Sequence, residues 1–165
     1  MSREERDYLS YLVGELAEVV APNPVAEDAD PLATLVGITV ADRPQDPGVL
    51  RLFPDGYADA EAAAEFRRYT EHGLRESKYA AAAVVRESLA GEAEPLVLTP
   101  GQADAWISAL NDLRLLLGTR IGVSQDPEQF AELDDDDPMA QMVATYEFLG
   151  WMQATLLHAR FGLDA

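Results

Sequence analysis

One predicted helix near the middle of the chain constrains the fold more than any other segment. Thr99 and Gln102 form the pattern of a capping box, and Pro100 stands at the first helical position, where its missing N–H costs nothing. The predicted helix runs from Pro100 to Ile121, and apolar residues occupy most of its circumference: Ala103, Trp106, Ile107, Leu110, Leu113, Leu115, Leu116 and Leu117. A helix that is apolar on most faces is usually surrounded by other elements. The sequence therefore predicts an α-helical domain with this helix at its centre.

Helices with clear starts are also predicted near both ends of the chain. Ser2 and Glu5 form a second capping box, apolar residues follow at helical spacing, and Pro22 ends the segment. Asp137 and Pro138 provide an N-cap and a first helical residue for a final helix.

The region between the first and central helices is less regular. Apolar spacing predicts a helix from Ala60, followed by a new helix that Thr70 caps. Residues 49–53 alternate like a strand, although the preceding Asp46-Pro47 equally suits the start of a helical turn. Residues 96–98 are a second candidate for a short strand.

These signals predict a mainly α fold. We expect a single compact domain over residues 1–165, with five or six helices and at most two short strands. Five of the ten prolines lie in residues 22–47, so residues 22–50 are predicted to be a proline-rich connector with a short helix capped by Asp30. Residues 124–137 hold seven acids and no base, which is typical of a solvated acidic loop.

The charge of the chain excludes several kinds of partner. There are 30 Asp and Glu against 12 Lys and Arg, giving a formal net charge of −18. Nucleic-acid binding needs clustered basic residues, and an anionic membrane repels an acidic surface, so we expect neither partner. The first residues lack the apolar core of a signal peptide and no apolar run is long enough to span a membrane, which favours a cytoplasmic location. The charge suits a basic protein partner, or serves only solubility.

Motifs for catalysis and for cofactor or metal binding are missing from the sequence. It has no cysteine, no glycine-rich phosphate loop and no nucleophile elbow. Its two histidines, His72 and His158, have no second ligand at metal spacing, and the aspartates at 134–137 lack the spacing and glycine of a calcium loop. We therefore expect no catalytic residue, no cofactor and no metal, and hence a protein that is not an enzyme.

A polar cluster interrupts the apolar surface of the central helix. Its members are Asn111, Asp112, Arg114 and Arg120. Asn111 and Arg114 share a helix face, and Arg114 falls on the stripe that faces the core. Because a buried guanidinium must be paired, we expect a carboxylate partner for it, such as Asp55 or Glu65. The cluster is either a structural ion-pair network or a pocket that holds a ligand or a partner's carboxylate.

The last helix carries more apolar surface than one buried stripe requires. One face is marked by Met139, Met142, Val143, Tyr146 and Leu149, and a second by Phe148, Trp151 and Met152. Methionine-rich faces adapt to partner surfaces, and large exposed apolar patches mark interfaces. We expect the second face either to be covered by the first helix or to join two copies in a two-fold homodimer.

Three segments of the chain resemble a known family. They are RLFPDGY at 51–57, AEFRRYTE at 64–71 and WISALNDLRLLLGTRIG at 106–122. They resemble an actinobacterial family of domains of unknown function that includes the oxidative stress regulator AosR. The resemblance implies a small, cytoplasmic, mostly helical protein. It also implies oxidation sensing through an intramolecular cysteine pair, binding to a stress sigma factor, and genes that neighbour the adaptor of the Clp protease. This chain has no cysteine, so that thiol switch cannot operate in it.

Together these observations predict a regulatory or adaptor protein that binds another protein, with a sigma factor as the partner implied by the resemblance. One alternative is a small-molecule-binding or enzymatic helical domain that uses Asn111, Arg114 and Arg120. Another is an accessory to Clp-type proteolysis. A deep polar pocket around those three residues would favour the first alternative, and a flat apolar patch would favour the regulator.

Overall fold

The computed structural model describes residues 1–22, 42–91, 95–126, 128–134 and 136–162. Within these residues the chain forms five helices and no strand. The helices are α1 (Arg3–Val20), α2 (Pro47–Leu52), α3 (Ala60–Ala90), α4 (Pro100–Arg120) and α5 (Pro138–Phe161). The predicted mainly α fold is therefore confirmed. None of the described helices is both long and apolar enough to cross a membrane.

Helix α4 lies at the centre, as its apolar circumference predicts. It packs against α1, α2, α3 and α5. Its capping box is present: Gln102 N donates to Thr99 Oγ1 at 3.3 Å, and Thr99 N donates to Gln102 Oε1 at 2.9 Å. The core around α4 includes Leu9, Val13, Leu16, Leu52, Phe53, Val85, Leu89, Trp106, Leu110 and Leu149.

The helices at the two ends of the chain begin as predicted. Glu5 N donates to Ser2 Oγ at 3.2 Å to start α1, and Met139 N donates to Asp137 Oδ1 at 2.7 Å to start α5. Gly162 ends α5 with φ 62°, a left-handed conformation that glycine adopts without strain. Both helices pack on α4, and Tyr8 Oη and Thr145 Oγ1 form a hydrogen bond of 2.9 Å between them. Helix α5 therefore covers one side of α4, whereas α1 packs mainly on α3 and to a smaller extent on α4.

The predicted break at Thr70 is wrong, because α3 runs uninterrupted for 31 residues from its N-cap, Asp59. The Thr70 hydroxyl donates to the carbonyl of Phe66 at 2.9 Å, which satisfies a threonine inside a helix. Leu74, at a position that the apolar spacing assigns to the core, is 42% exposed. At this level the core-facing side of α3 carries the charged residues Glu71 and Arg75 instead.

Neither candidate strand forms, and of the two alternatives for residues 49–53 the helical turn is confirmed. Asp46 Oδ1 accepts a hydrogen bond from Val49 N at 2.9 Å and Pro47 opens the first turn, so residues 47–52 form the short helix α2. Helix α2 packs on α4, and the end of the predicted connector is thus part of the helical fold. Residues 96–98 form no regular element, and the described residues of 124–137 form turns before the cap of α5. The short helix predicted at Asp30 lies outside the described residues.

Candidate interaction groove

The structure places Arg114 between α4 and α5, where its guanidinium group forms hydrogen bonds with neutral side chains. Arg114 Nη1 donates to Gln153 Oε1 at 2.7 Å, and Arg114 Nη2 donates to Tyr146 Oη at 3.2 Å. The guanidinium carbon also lies 4.8 Å from the centre of the Tyr146 ring, which is a cation–π contact. The prediction that Arg114 pairs with a carboxylate is wrong, because within the described residues Arg114 forms no ion pair.

The other members of the predicted polar cluster lie in different surroundings. Asp112 is buried against α3, with its Oδ1 2.7 Å from Lys78 Nζ. Burial raises the pKa of the Asp112 carboxyl, although the hydrogen bond and the charge of Lys78 oppose that change. Asn111 and Arg120 are exposed. The four residues are therefore divided between two helix interfaces and the surface, and they do not form one polar pocket.

A buried charged network on α3 was missed by the sequence analysis. Arg67, Glu71 and Arg75 are spaced four residues apart and are all buried. Glu71 Oε1 accepts a hydrogen bond from Arg75 Nε at 2.8 Å, and Glu71 Oε2 lies 3.5 Å from Arg67 Nη1. The i, i+4 spacing of these charges was visible in the sequence, but such spacing is also typical of a solvated helix face.

This network ties two distant parts of the chain to α3. Arg75 Nη1 donates to the carbonyls of Val19 at 3.1 Å and Ala21 at 3.3 Å, which lie at the end of α1. The guanidinium of Arg75 also lies 4.4 Å from the centre of the Phe53 ring. Because its polar groups are directed at chain carbonyls and at one another, the network stabilises the fold rather than presenting a reactive group.

Asp55 extends the network to the surface. It pairs with Arg67 and accepts a hydrogen bond from Arg43 Nε at 2.8 Å. The hydrogen bond from Arg43, together with the charges of Arg43 and Arg67, holds the pKa of the Asp55 carboxyl below its usual value, although partial burial opposes the change.

An open apolar groove lies where the start of α1 approaches the second half of α5. Its volume is about 680 Å³. We call it the Trp151 groove, and its lining comprises Met1, Arg6, Pro95, Leu96, Leu98, Trp106, Trp151, Met152, Thr155 and Leu156. The lining is mostly apolar, and Arg6 is its charged member. The site is thus an apolar groove, which is neither the polar pocket around Asn111, Arg114 and Arg120 nor the flat apolar patch that the sequence suggested as alternatives.

Two of the three residues of the predicted self-association face, Trp151 and Met152, line one side of this groove. Trp151 is 64% exposed, and its ring stacks on that of Phe148 at 6.1 Å between centroids. Met152 is partly buried and packs against the core. Helix α1 therefore does not cover Trp151, and a large aromatic side chain is left in solvent beside an apolar groove.

Trp106 forms the buried side of the groove. Its side chain is 2% exposed, and its indole nitrogen makes no hydrogen bond within the described residues. A buried donor without an acceptor costs about 1–3 kcal/mol.

The described residues hold no group of three or more His, Asp or Glu side chains arranged to bind a metal ion. His72 Nε2 lies 3.4 Å from Glu76 Oε1, and His158 is exposed near the end of α5. The candidate site is therefore the groove, whose chemistry is apolar contact.

Comparison with known proteins gives one family and a set of named relatives. The family model that matches residues 1–160 is described as a domain of unknown function, DUF2017. The putative oxidative stress regulator AosR of Mycobacterium leprae is 30% identical over 168 residues, which covers 92% of this chain and 76% of that protein. The oxidative stress regulator AosR of Mycobacterium tuberculosis H37Rv is 28% identical over 179 residues, covering 98% and 81%. No solved structure matches the chain.

Proposed function

The chain belongs to the DUF2017 family, and we propose that it is a non-enzymatic regulator that acts by binding another protein at the Trp151 groove. One observation carries this proposal: Trp151 is 64% exposed beside an apolar groove in a chain of net charge −18. Exposed apolar patches of this kind mark interaction sites, and tryptophan is enriched among residues that dominate binding energy.

The names of the relatives support a regulatory role. The mycobacterial proteins that this chain resembles are called oxidative stress regulators. A regulator without a catalytic constellation acts by occupying a surface of its target. The proposed location is the cytoplasm and the proposed partner is a stress sigma factor, which follows the resemblance described above.

Genetic complementation tests the proposal in the organism that encodes the chain. Deleting the gene is expected to alter the transcriptional response to an oxidant, and the wild-type gene is expected to restore it. Trp151→Glu places a charge on the exposed aromatic of the groove and is expected not to restore the response.

A matched control separates the groove from general surface damage. Tyr69 is an aromatic residue of α3 with 57% exposure, and it does not line the groove. Tyr69→Glu is expected to restore the response as the wild type does. Circular dichroism first checks that both variants remain helical. Full restoration by a folded Trp151→Glu variant would contradict the proposal.

The partner is tested with purified components. The chain is mixed with each stress sigma factor of the same organism, and complexes are separated by size-exclusion chromatography. We expect co-elution with one sigma factor and its loss with Trp151→Glu. Co-elution with none of them would reject the sigma-factor assignment.

A small apolar ligand is the second candidate occupant, because a volume of about 680 Å³ lies within the range of small-molecule sites. Native mass spectrometry of the protein purified from its own host tests this. A bound mass that is lost with Trp151→Glu would favour the ligand over the protein partner.

A further inference from the structure

We propose that the outward face of α5 joins two copies of the chain in an antiparallel two-fold dimer. The dimer covers Trp151, which also belongs to the proposed partner site, so a second copy and the partner compete for this face. That competition rests on the proposed function, whereas the dimer itself is measured without any partner.

The outward face of α5 has the spacing of a coiled-coil seam. Its residues follow one another at intervals of three and four, and all are exposed or partly exposed. We call them the α5 stripe: Gln141, Ala144, Phe148, Trp151, Thr155 and His158. Helix α5 packs on α4 through its other side, where Val143, Leu149 and Gln153 are buried. The stripe is therefore available to a further helix, because this spacing aligns side chains for side-by-side packing.

The α5 stripe is complementary to itself when a second α5 runs antiparallel. A two-fold axis at the midpoint of the 24-residue helix overlaps both helices over their full length, about 36 Å at 1.5 Å per residue. It places opposite each other, in the two copies, Phe148 and Trp151, Ala144 and Thr155, and Gln141 and His158. Aromatic rings then meet at the centre, small side chains flank them, and polar side chains lie at the ends. Aromatic pairs stabilise a contact beyond the area that they bury, and small side chains let two helices approach closely.

Charge permits this contact although the whole chain repels itself. The chain has 30 acids and a net charge of −18, but α5 contains one acid, Glu147, in 24 residues. The antiparallel arrangement places Glu147 toward the second half of the other α5, which has no acid. A stripe with so little charge offers a charged partner no attraction, whereas an identical stripe matches it. Repulsion from the rest of the chain is screened beyond about 8 Å at physiological ionic strength.

Sedimentation equilibrium of the whole chain tests for the dimer. At about 0.15 M sodium chloride we expect a species of twice the 18.0 kDa of one chain. Lowering the salt concentration is expected to weaken the dimer, because the repulsion between the two acidic copies is then screened less. A single species of 18.0 kDa at every salt concentration would overturn the proposal.

Variants locate the contact. Phe148→Glu places a charge at the centre of the stripe and is expected to weaken the dimer at least roughly tenfold. Tyr69→Glu changes an exposed aromatic residue of α3 and is expected to leave the dimer unchanged. Circular dichroism checks that both variants fold, and a folded Phe148→Glu variant as dimeric as the wild type would overturn the proposal. Phe148 does not line the Trp151 groove, so partner binding by this variant tests the proposed function separately.

Introduced cysteines test the antiparallel arrangement without disrupting the stripe. The chain has no cysteine, so Ala144→Cys and Thr155→Cys each provide a single thiol. The two positions lie about 16 Å apart along one helix, too far for a disulfide within one chain or between two copies of the same variant in this arrangement. Diamide is therefore expected to cross-link a mixture of the two variants and neither variant alone, as seen by gel electrophoresis without reductant. Cross-linking of each variant with itself, or no cross-linking of the mixture, would overturn the proposed arrangement.

Discussion

Glu71 is the residue on which the charged network of α3 depends. It is 2% exposed, accepts a hydrogen bond from Arg75 and forms an ion pair with Arg67, and both arginines are buried. Glu71→Ala removes the carboxylate that pairs with both buried guanidinium groups, and breaking a buried pair in this way costs about 3–5 kcal/mol. We expect a loss of that size in the free energy of unfolding, measured by urea denaturation.

A second glutamate on the same helix provides the control. The Glu76 side chain is 62% exposed and faces His72 at 3.4 Å. Glu76→Ala is expected to cost less than about 1 kcal/mol, as exposed pairs do. Equal costs for the two variants would show that the network contributes no more than a surface pair.

Substitutions of Arg114 test how much its hydrogen bonds to neutral groups contribute to stability. It donates to Gln153 and Tyr146 and stacks on the Tyr146 ring. Arg114→Ala is expected to destabilise the fold by about 1.5–3 kcal/mol, the range for hydrogen bonds to a charged group. Arg114→Lys is expected to recover little of this, because an ammonium reproduces neither the forked donors nor the planar stacking. Thermal unfolding of the three proteins measures both effects, and a lysine variant as stable as wild type would contradict the assignment.

Asp55 and Asp112 are expected to give opposite pH dependence. The pKa of Asp55 lies below its usual 3.8 in the folded chain. At a pH between the folded and the unfolded pKa, the unfolded state binds more protons, so stability rises with pH. The pKa of Asp112 lies above 3.8 when folded, so its contribution to stability falls as pH rises through that window. The stability advantage of wild type over Asp55→Asn should therefore shrink as pH falls from about 5 toward 2. The stability difference between wild type and Asp112→Asn should change in the opposite direction. Thermal unfolding of the three proteins at several pH values measures both differences. If both differences changed in the same direction with pH, these assignments would be contradicted.

At the scale of the helices, local sequence signals predicted a helix start correctly where no second signal competed with the first. The capping boxes at Ser2 and Thr99 and the cap at Asp137 predict the starts of α1, α4 and α5, since each depends on contacts within one turn. Residues 49–53 carried two competing local signals. The helix formed there because Asp46 caps it and α2 packs on α4.

The parts that sequence did not predict depend on contacts between distant residues. Thr70 resembles a cap, but its hydroxyl bonds within a continuous α3. Arg75 can be buried because it donates hydrogen bonds to the carbonyls of Val19 and Ala21 and contacts the ring of Phe53. Spacing along one helix does not show which acceptors another segment brings.

The candidate site was likewise predictable from the sequence only in part. The apolar excess of Phe148, Trp151 and Met152 was visible in sequence and lies at the groove. The groove itself requires segments 95–98 and the start of α1, which no single-helix pattern places beside α5.

At the scale of the whole molecule, the absence of cysteine predicts a chain without a thiol switch. Diamide oxidises thiols to disulfides, so it is expected to change neither the circular dichroism spectrum nor the melting temperature of the purified chain. Peroxide can still oxidise methionine, more slowly, at positions such as Met152 in the groove. A rapid diamide effect that dithiothreitol reverses would contradict this expectation.

The net charge is expected to make the stability of the chain depend on salt. At −18 the chain repels itself, and at physiological ionic strength ions screen charges beyond about 8 Å. The buried pairs of Glu71 and Asp112 are screened much less, so salt removes mainly repulsion and is expected to raise the melting temperature. A melting temperature that rises with sodium chloride, measured by circular dichroism, would show that self-repulsion opposes folding. A melting temperature that falls with sodium chloride would instead show that attractive surface pairs outweigh the self-repulsion.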